Sequence, residues 1–180
     1  MKYMIASDIH GSATYCRQMI DAYEREQPDC LLLLGDLLYH GPRNALPDGY
    51  DTQAVIEMLN GIADKLLCVR GNCDAEVDQM VLSFPIMADY TWLDVNGLRI
   101  FATHGHVFGL QNPLKVKKSD ILLGGHTHVP TLIRYDDFTY VNPGSVSIPK
   151  EGSCHSYAVL EGRTFTWKNL QGEVYKTETV

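Results

Sequence analysis

Five times in its first 128 residues the chain runs through a short apolar segment and then, within a few positions, reaches a side chain bearing an oxygen or nitrogen donor. Met4-Ile5-Ala6 leads to Asp8 and His10, and Leu31 to Leu34 leads through Gly35 to Asp36. Leu66 to Val69 leads through Arg70-Gly71 to Asn72. Ile100-Phe101-Ala102 leads through Thr103 to His104, and Ile121-Leu122-Leu123 through Gly124-Gly125 to His126 and His128. Short apolar runs bounded by glycine read as buried strands. Residues that follow the carboxyl ends of strands in α/β folds converge on one crevice. The pattern thus constrains fold and site together.

The intervening segments support that reading. Lys2 to Ser7 is a strand, and Ser12 to Glu26 a helix capped by Ser12, with Tyr15, Met19, Ile20 and Tyr23 on one stripe. Pro28 closes the helix, and Cys30 to Leu34 is a second buried strand. A Gly- and Pro-rich loop, Tyr39 to Tyr50, precedes a helix over about Thr52 to Asp64, and Lys65 to Val69 is a third strand. This alternation implies a largely parallel sheet covered by helices. The rhythm then changes. Tyr90 to Val95 and Leu98 to Thr103 flank Asn96-Gly97, a strong hairpin signal. Further short strands follow at Ile121 to Leu123, Thr131 to Tyr135, Thr139 to Val141, Ser156 to Leu160, Thr164 to Lys168 and Val174 to Thr177. The expectation is one α/β domain over residues 1–180, with many antiparallel strands late in the chain and two packed sheets with helices outside.

Composition bounds the function classes. Fifteen basic against 22 acidic residues give a net charge of −7, which argues against general affinity for nucleic acid. The basic run Lys115-Val116-Lys117-Lys118 is short and reads as a solvated surface stretch. Five cysteines without a CxxC pair fit reduced thiols and a cytoplasmic setting. The N-terminus turns polar at Ser7, too early for a signal peptide, and no apolar run approaches a membrane span.

Asp8, His10, Asp36, Asn72, His104, His126 and His128 are hard or borderline donors without thiolate, suited to manganese, iron, zinc, nickel or cobalt. Seven ligands exceed what one four-coordinate ion takes. They suit two ions sharing a carboxylate, the arrangement that clamps a phosphoryl group. Each residue alone reads more simply, Asp after a strand as a turn former and Gly-His-Thr-His as a polar turn. Their coincidence at five strand ends favours metal. Two divalent ions outweigh two carboxylates, so such a site attracts phosphate although the chain is acidic. A water bridging both ions is expected to lose a proton near neutral pH and attack phosphorus in line.

Asp8-Ile9-His10, Gly35-Asp36, Gly71-Asn72, His104-Gly105-His106 and Gly125-His126-Thr127-His128 resemble, in order and spacing, the motif set of calcineurin-like metallophosphoesterases. The resemblance spans about residues 3 to 130. The length, Gly71-Asn72-Cys73-Asp74 and Asn142-Pro143-Gly144-Ser145 resemble the small single-domain branch of bacterial phosphodiesterases, related to a metal-poor retromer subunit. It implies a four-layer αββα sandwich of two mixed sheets flanked by helices. It also implies a first ion on Asp8, His10 and His128, a second on Asn72, His104 and His126, and Asp36 between them. Mn²⁺ is a common activating ion in the family.

Cys73 departs from the pattern, since many members place a proton-donating histidine after this asparagine. A thiol matches that task less well near neutral pH, and Asp74 loses the histidine it would orient. His106 is the best substitute acid, though a rim residue bonding the backbone is an equal reading. Asn142-Pro143-Gly144-Ser145 is first a turn, with Ser145 or backbone N–H groups as candidate phosphate contacts. His40 and its loop are a plain connection or a wall of the substrate entrance, and His155 reads as surface. A phosphodiesterase on small phosphate esters leads, with a phosphomonoesterase, a non-catalytic scaffold and a nuclease behind it. Metal content separates enzyme from scaffold, and salt-sensitive action on oligonucleotides would revive the nuclease. Late apolar hairpins offer a surface for a homo-oligomer.

Overall fold

The computed structural model describes residues 1–114 and 120–180; the basic run at 115–118 lies outside the described residues. β1 (Lys2–Ala6), β2 (Cys30–Leu33) and β3 (Leu66–Cys68) pair in parallel, Tyr3 opposite Cys30 and Leu31 opposite Leu66. Side chains alternate across β1 and β2. Met4, Ala6, Leu31 and Leu33 face one core, Tyr3, Ile5, Leu32 and Leu34 the other. Both faces are buried, which is why these strands read as continuous apolar runs.

The first core is closed by α1 (Ala13–Glu26) and α2 (Thr52–Asn60). The Ser12 hydroxyl caps α1 by accepting from the Tyr15 N–H at 3.2 Å, and Cys16, Met19, Ile20 and Ala22 point inward. Asp51 caps α2 in the same way through the Ala54 N–H at 3.1 Å. This helix stops at Asn60 rather than Asp64. Gly61, costing about 1 kcal/mol against alanine inside a helix, is followed by a 3-10 turn over Ala63–Lys65. One helix escaped the sequence pattern, the single turn α3 (Glu76–Gln79).

In the second half β4 (Tyr90–Val95) and β5 (Leu98–Thr103) form the expected hairpin, with Asn96 and Gly97 both at positive φ (53 and 76). β6 (Ile121–Leu123), β7 (Thr131–Arg134) and β8 (Thr139–Asn142) complete a five-stranded sheet of order β4-β5-β6-β8-β7. Its centre, β5-β6-β8, is parallel rather than antiparallel. β9 (Ser156–Glu161), β10 (Thr164–Asn169) and β11 (Val174–Thr179) return to the first sheet, giving β11-β10-β9-β1-β2-β3. The second core lies between the two sheets, where Ile5, Leu34, Ile100, Leu123, Phe165 and Trp167 meet. Each such side chain contributes roughly 1.5–3 kcal/mol on burial. The architecture is α/β, two mixed sheets with helices outside. All described helices precede β4. Among the described residues the outer face of the second sheet carries a small cluster of Leu122, Phe138 and Tyr140 in place of a helix layer.

Candidate metal centre

The segments that leave β1, β2, β3, β5 and β6 meet at one place. The Asp8 N–H donates to the Gly35 carbonyl (3.1 Å), the His10 N–H to the Asp36 carbonyl (2.9 Å) and the Gly125 N–H to the His104 carbonyl (2.8 Å). The His126 N–H donates to the Asp8 carboxylate at 3.2 Å. Two glycines make this approach feasible. A Cβ on Gly71 would stand 2.1 Å from Asp36 Oδ1, and one on Gly35 (φ +91) would stand 2.3 Å from the Gly71 nitrogen. Asp8, His10, Asp36, His126 and His128 all hold left-handed backbone, with φ between 50 and 66. Such geometry costs of order 1–3 kcal/mol per residue and persists where the surroundings impose it, commonly at functional sites.

The imidazoles are oriented from behind. His10 Nδ1 donates to the Tyr39 carbonyl (2.8 Å), His104 Nδ1 to that of Leu34 (2.6 Å) and His128 Nδ1 to that of Ile148 (2.6 Å). With Nδ1–H bonded behind the ring, each Nε2 is turned inward, the nitrogen that can offer a lone pair to a cation. His10 Nε2 and His128 Nε2 stand 3.4 Å apart, and Asp8 Oδ1 lies 3.6 and 3.3 Å from them. That oxygen is buried and has no hydrogen-bond partner among the described residues. On the other side His104 Nε2 is 3.1 Å from Asn72 Oδ1 and 3.2 Å from His126 Nδ1. Asp36 Oδ2 faces both groups, 3.7 Å from His10 Nε2 and 3.4 Å from His104 Nε2. Imidazole nitrogens and carboxylate and amide oxygens turned toward one another at these distances fit a cation.

Electrostatics agree. Burial pushes the Asp8 and Asp36 carboxyls up, but the surrounding imidazoles outweigh it and hold both below the usual range. Burial opposes protonation of His104, yet Asp36 and Asp8 carry its pKa up to about 9. Burial, with His104 as the next cause for His126, lowers His126 and His128. A buried pair of ionised carboxylates needs compensating positive charge. The donor set, oxygen and imidazole nitrogen, suits divalent ions of the manganese-to-zinc series. The residues fit the group.

Above the cluster opens a cavity of about 410 Å³, lined by His10, Asp36, Asn72, His126 and His128 on one side and by Gly41, Pro42, Arg43, Asn44, Cys73 and Lys150 on the other. Sequence reasoning missed Arg43 and Lys150, which sit on loops without a periodic or motif signal. It singled out the Asn142 turn but not the role of the Asn142 side chain, whose amide donates to the Gly125 carbonyl (2.7 Å) and Thr127 Oγ1 (3.1 Å) and so steadies the Gly-His-Thr-His turn.

Other expectations resolve differently. Asp74 is turned away from the cavity. Its carboxylate accepts from the N–H groups of Asp36 (2.9 Å), Leu37 (2.8 Å) and Gly71 (2.7 Å), which is a bracing role. Ser145 is fully buried and donates to the Asp8 carbonyl, as does Ser147, so the Asn142–Ser145 turn supports Asp8 from beneath rather than lining the cavity. Cys73 does line it, its thiol pushed up to about 12 by burial and the Asp36 carboxylate. His106 does not bond the backbone; neither ring nitrogen has a partner among the described residues. His40 packs edge-on against Tyr39 and Tyr50. His155 is not a plain surface residue. It stacks on Tyr15 with centroids 3.8 Å apart and bonds the Val146 carbonyl at 2.8 Å.

Two sheets whose strand ends gather imidazoles and carboxylates over a polar cleft define a metal-dependent phosphoesterase framework. Residues 1–164 match the calcineurin-like phosphoesterase superfamily domain, and the chain belongs to that superfamily. Its particular neighbourhood is equally plain. The chain is 47% identical over 161 residues to phosphodiesterase YfcE of Escherichia coli K12, covering 89% of this chain and 88% of that protein. The solved structure of the E. coli phosphoesterase YfcE superposes with a TM-score of 0.95 at 43% identity, over 99% of both chains. Vps29 of Chaetomium thermophilum, with a TM-score of 0.66 at 18% identity over 100% of this chain and 97% of that one, shares the fold.

Proposed function

We propose that this chain is a phosphodiesterase acting on small phosphate esters with two divalent ions, manganese foremost, and that residues 1–180 form one cytoplasmic catalytic domain. Asp8, His10 and His128 would hold one ion and Asn72, His104 and His126 the other, with Asp36 between them. The observation that carries this reading is the convergence of the His10 and His128 Nε2 atoms on the partnerless Asp8 Oδ1. Superfamily membership and the likeness to phosphodiesterase YfcE support it.

When bound, the ions would polarise the phosphoryl group and acidify water, as paired ions do in other phosphoesterases. The chain's own groups do the rest. Arg43 and Lys150 bring positive charge to the far wall of the cleft, where substrate oxygens arrive. The backbone carbonyls behind His10, His104 and His128 accept from each Nδ1–H and so aim each Nε2 at the floor of the cleft. The Cys73 thiol, pushed up by burial and the Asp36 carboxylate, lines the cleft where it can hydrogen-bond a substrate oxygen. A scaffold on the same fold has no need for five strained donors.

Bis(p-nitrophenyl) phosphate hydrolysis should require added divalent metal, stop on chelation, and run fastest with Mn²⁺. Asp36→Ala or His128→Ala should lower kcat by about 10²–10³-fold, the scale of lost electrostatic stabilisation. Metal-independent turnover, or near-wild-type rates in both variants, would refute the assignment.

A further inference from the structure

The connection from β8 to β9 holds one half of the donor cluster and not the other. The Asp8 carbonyl accepts from three donors on it, the Ser145 hydroxyl (3.1 Å), the Ser147 hydroxyl (3.0 Å) and the Ser147 N–H (3.2 Å). His128 is held twice. Its Nδ1–H donates to the Ile148 carbonyl (2.6 Å), and its own carbonyl accepts from the Lys150 N–H (3.3 Å). Pro149 follows Ile148 and disfavours helical backbone there, which narrows where that carbonyl can point. Among the described residues no hydrogen bond from 145–155 reaches Asn72, His104 or His126; His104 is aimed by the Leu34 carbonyl instead. The two halves touch through the His126 N–H on the Asp8 carboxylate at 3.2 Å, without the connection. The connection itself is irregular backbone, which moves unless tied down. Its tie lies away from the cleft. His155 stacks on Tyr15 of α1 with planes 16° apart, and its Nδ1–H donates to the Val146 carbonyl at 2.8 Å. The Val146 N–H donates in turn to the Ser7 carbonyl at 2.9 Å, so one ring fastens the segment to α1 and to the exit of β1.

We propose that residues 145–155 are a brace dedicated to the ion on Asp8, His10 and His128, with Ser147 and His155 as positioning residues that act through Asp8 and His128. The inference rests on the paired-ion reading above. Asp8 and His128 both hold left-handed backbone at φ 62, a conformation that persists only while its surroundings impose it. Without the hydroxyl on the Asp8 carbonyl, or without the stack that keeps the Ile148 carbonyl behind His128, both residues relax. The 3.3 Å between Asp8 Oδ1 and His128 Nε2 is then no longer fixed. Asn72, His104 and His126 keep their own supports, so the second ion's donors stay in place.

The test follows Mn²⁺ binding to the metal-stripped chain by calorimetry, and reads crystals soaked at limiting Mn²⁺ by anomalous diffraction. Ser147→Ala, His155→Ala and Tyr15→Leu should each weaken one of the two binding constants by about 10–100-fold, the scale of losing a partner behind a ligand. The other constant should stay near its wild-type value. The anomalous peak that empties should be the one against Asp8, His10 and His128. Ser147 is buried, whereas Tyr15 and His155 are half-buried, so the latter two variants decide the matter should Ser147→Ala fail to fold. Constants unmoved in every folded variant, both constants falling together, or an emptied peak against Asn72 and His104 would overturn the brace. A wild type that takes up fewer than two ions would instead overturn the paired-ion reading itself.

Discussion

Left-handed backbone at Asp8, His10, Asp36, His126 and His128 is what crowding donors from five strand ends demands of single residues. Asp74 shows how the strain is held. Its carboxylate collects three buried N–H groups that flank Asp36 and Asn72. Asp74→Ala leaves them unpaired and should destabilise the protein by about 3 kcal/mol; a loss under about 1 kcal/mol in chemical denaturation contradicts the bracing role. His104 sets the pH behaviour. With its pKa raised to about 9, it carries a proton at neutral pH that an incoming ion must displace. Metal uptake should therefore release protons below about pH 9, and affinity should rise with pH through the neutral range. Calorimetric titration in buffers of different ionisation heat reads this directly, and a buffer-independent heat contradicts it. The seven donors were legible because each follows an apolar run within a few residues. Arg43 and Lys150 were not, since a cation on a loop has the same sequence signature whether it faces solvent or a cleft.

At the scale of elements, α1 is tied to the sheet through its last residue. Glu26 accepts from Tyr157 at 2.8 Å and Lys168 at 2.6 Å, and pairs with Lys2 at 3.0 Å. Burial pushes its carboxyl up, but these partners outweigh it and bring the pKa to about 2, below the ordinary 4.5. The depressed value means a stabilisation fully present above about pH 4.5 and lost as pH falls toward about 2. Glu26→Gln should thus lower Tm at neutral pH, by the equivalent of about 2–3 kcal/mol for a pair whose lysines still touch water. The gap to wild type should close on acidification. A gap that persists in acid rules out the charge as its source. Helix spans and strand positions were readable from periodicity and caps, within a few residues at the ends. Strand partners were not. β10 and β11 alternate as half-buried strands do and β9 is a buried run, and neither pattern says that they rejoin β1. The parallel pairing of β5, β6 and β8 escaped for the same reason.

Across the molecule, an acidic chain of net charge −7 sets two buried carboxylates, Asp8 and Asp36, beneath a cleft whose rim carries Arg43 and Lys150. Global charge says little about what such a cleft binds, because bound ions dominate the local field. The α/β class and the convergence of donors could both be read before any coordinates, since parallel strands force their carboxyl ends together. The distances that turn convergence into coordination could not, because they depend on backbone carbonyls 20 to 29 residues away from the rings of His128 and His10. Anomalous diffraction from crystals grown with Mn²⁺ addresses those distances directly. Two peaks roughly 3.5–4 Å apart are expected, one against Asp8, His10 and His128, the other against Asn72, His104 and His126, with Asp36 reaching both. No peak in the cleft, or a single peak out of reach of Asp36, would contradict the paired-ion site.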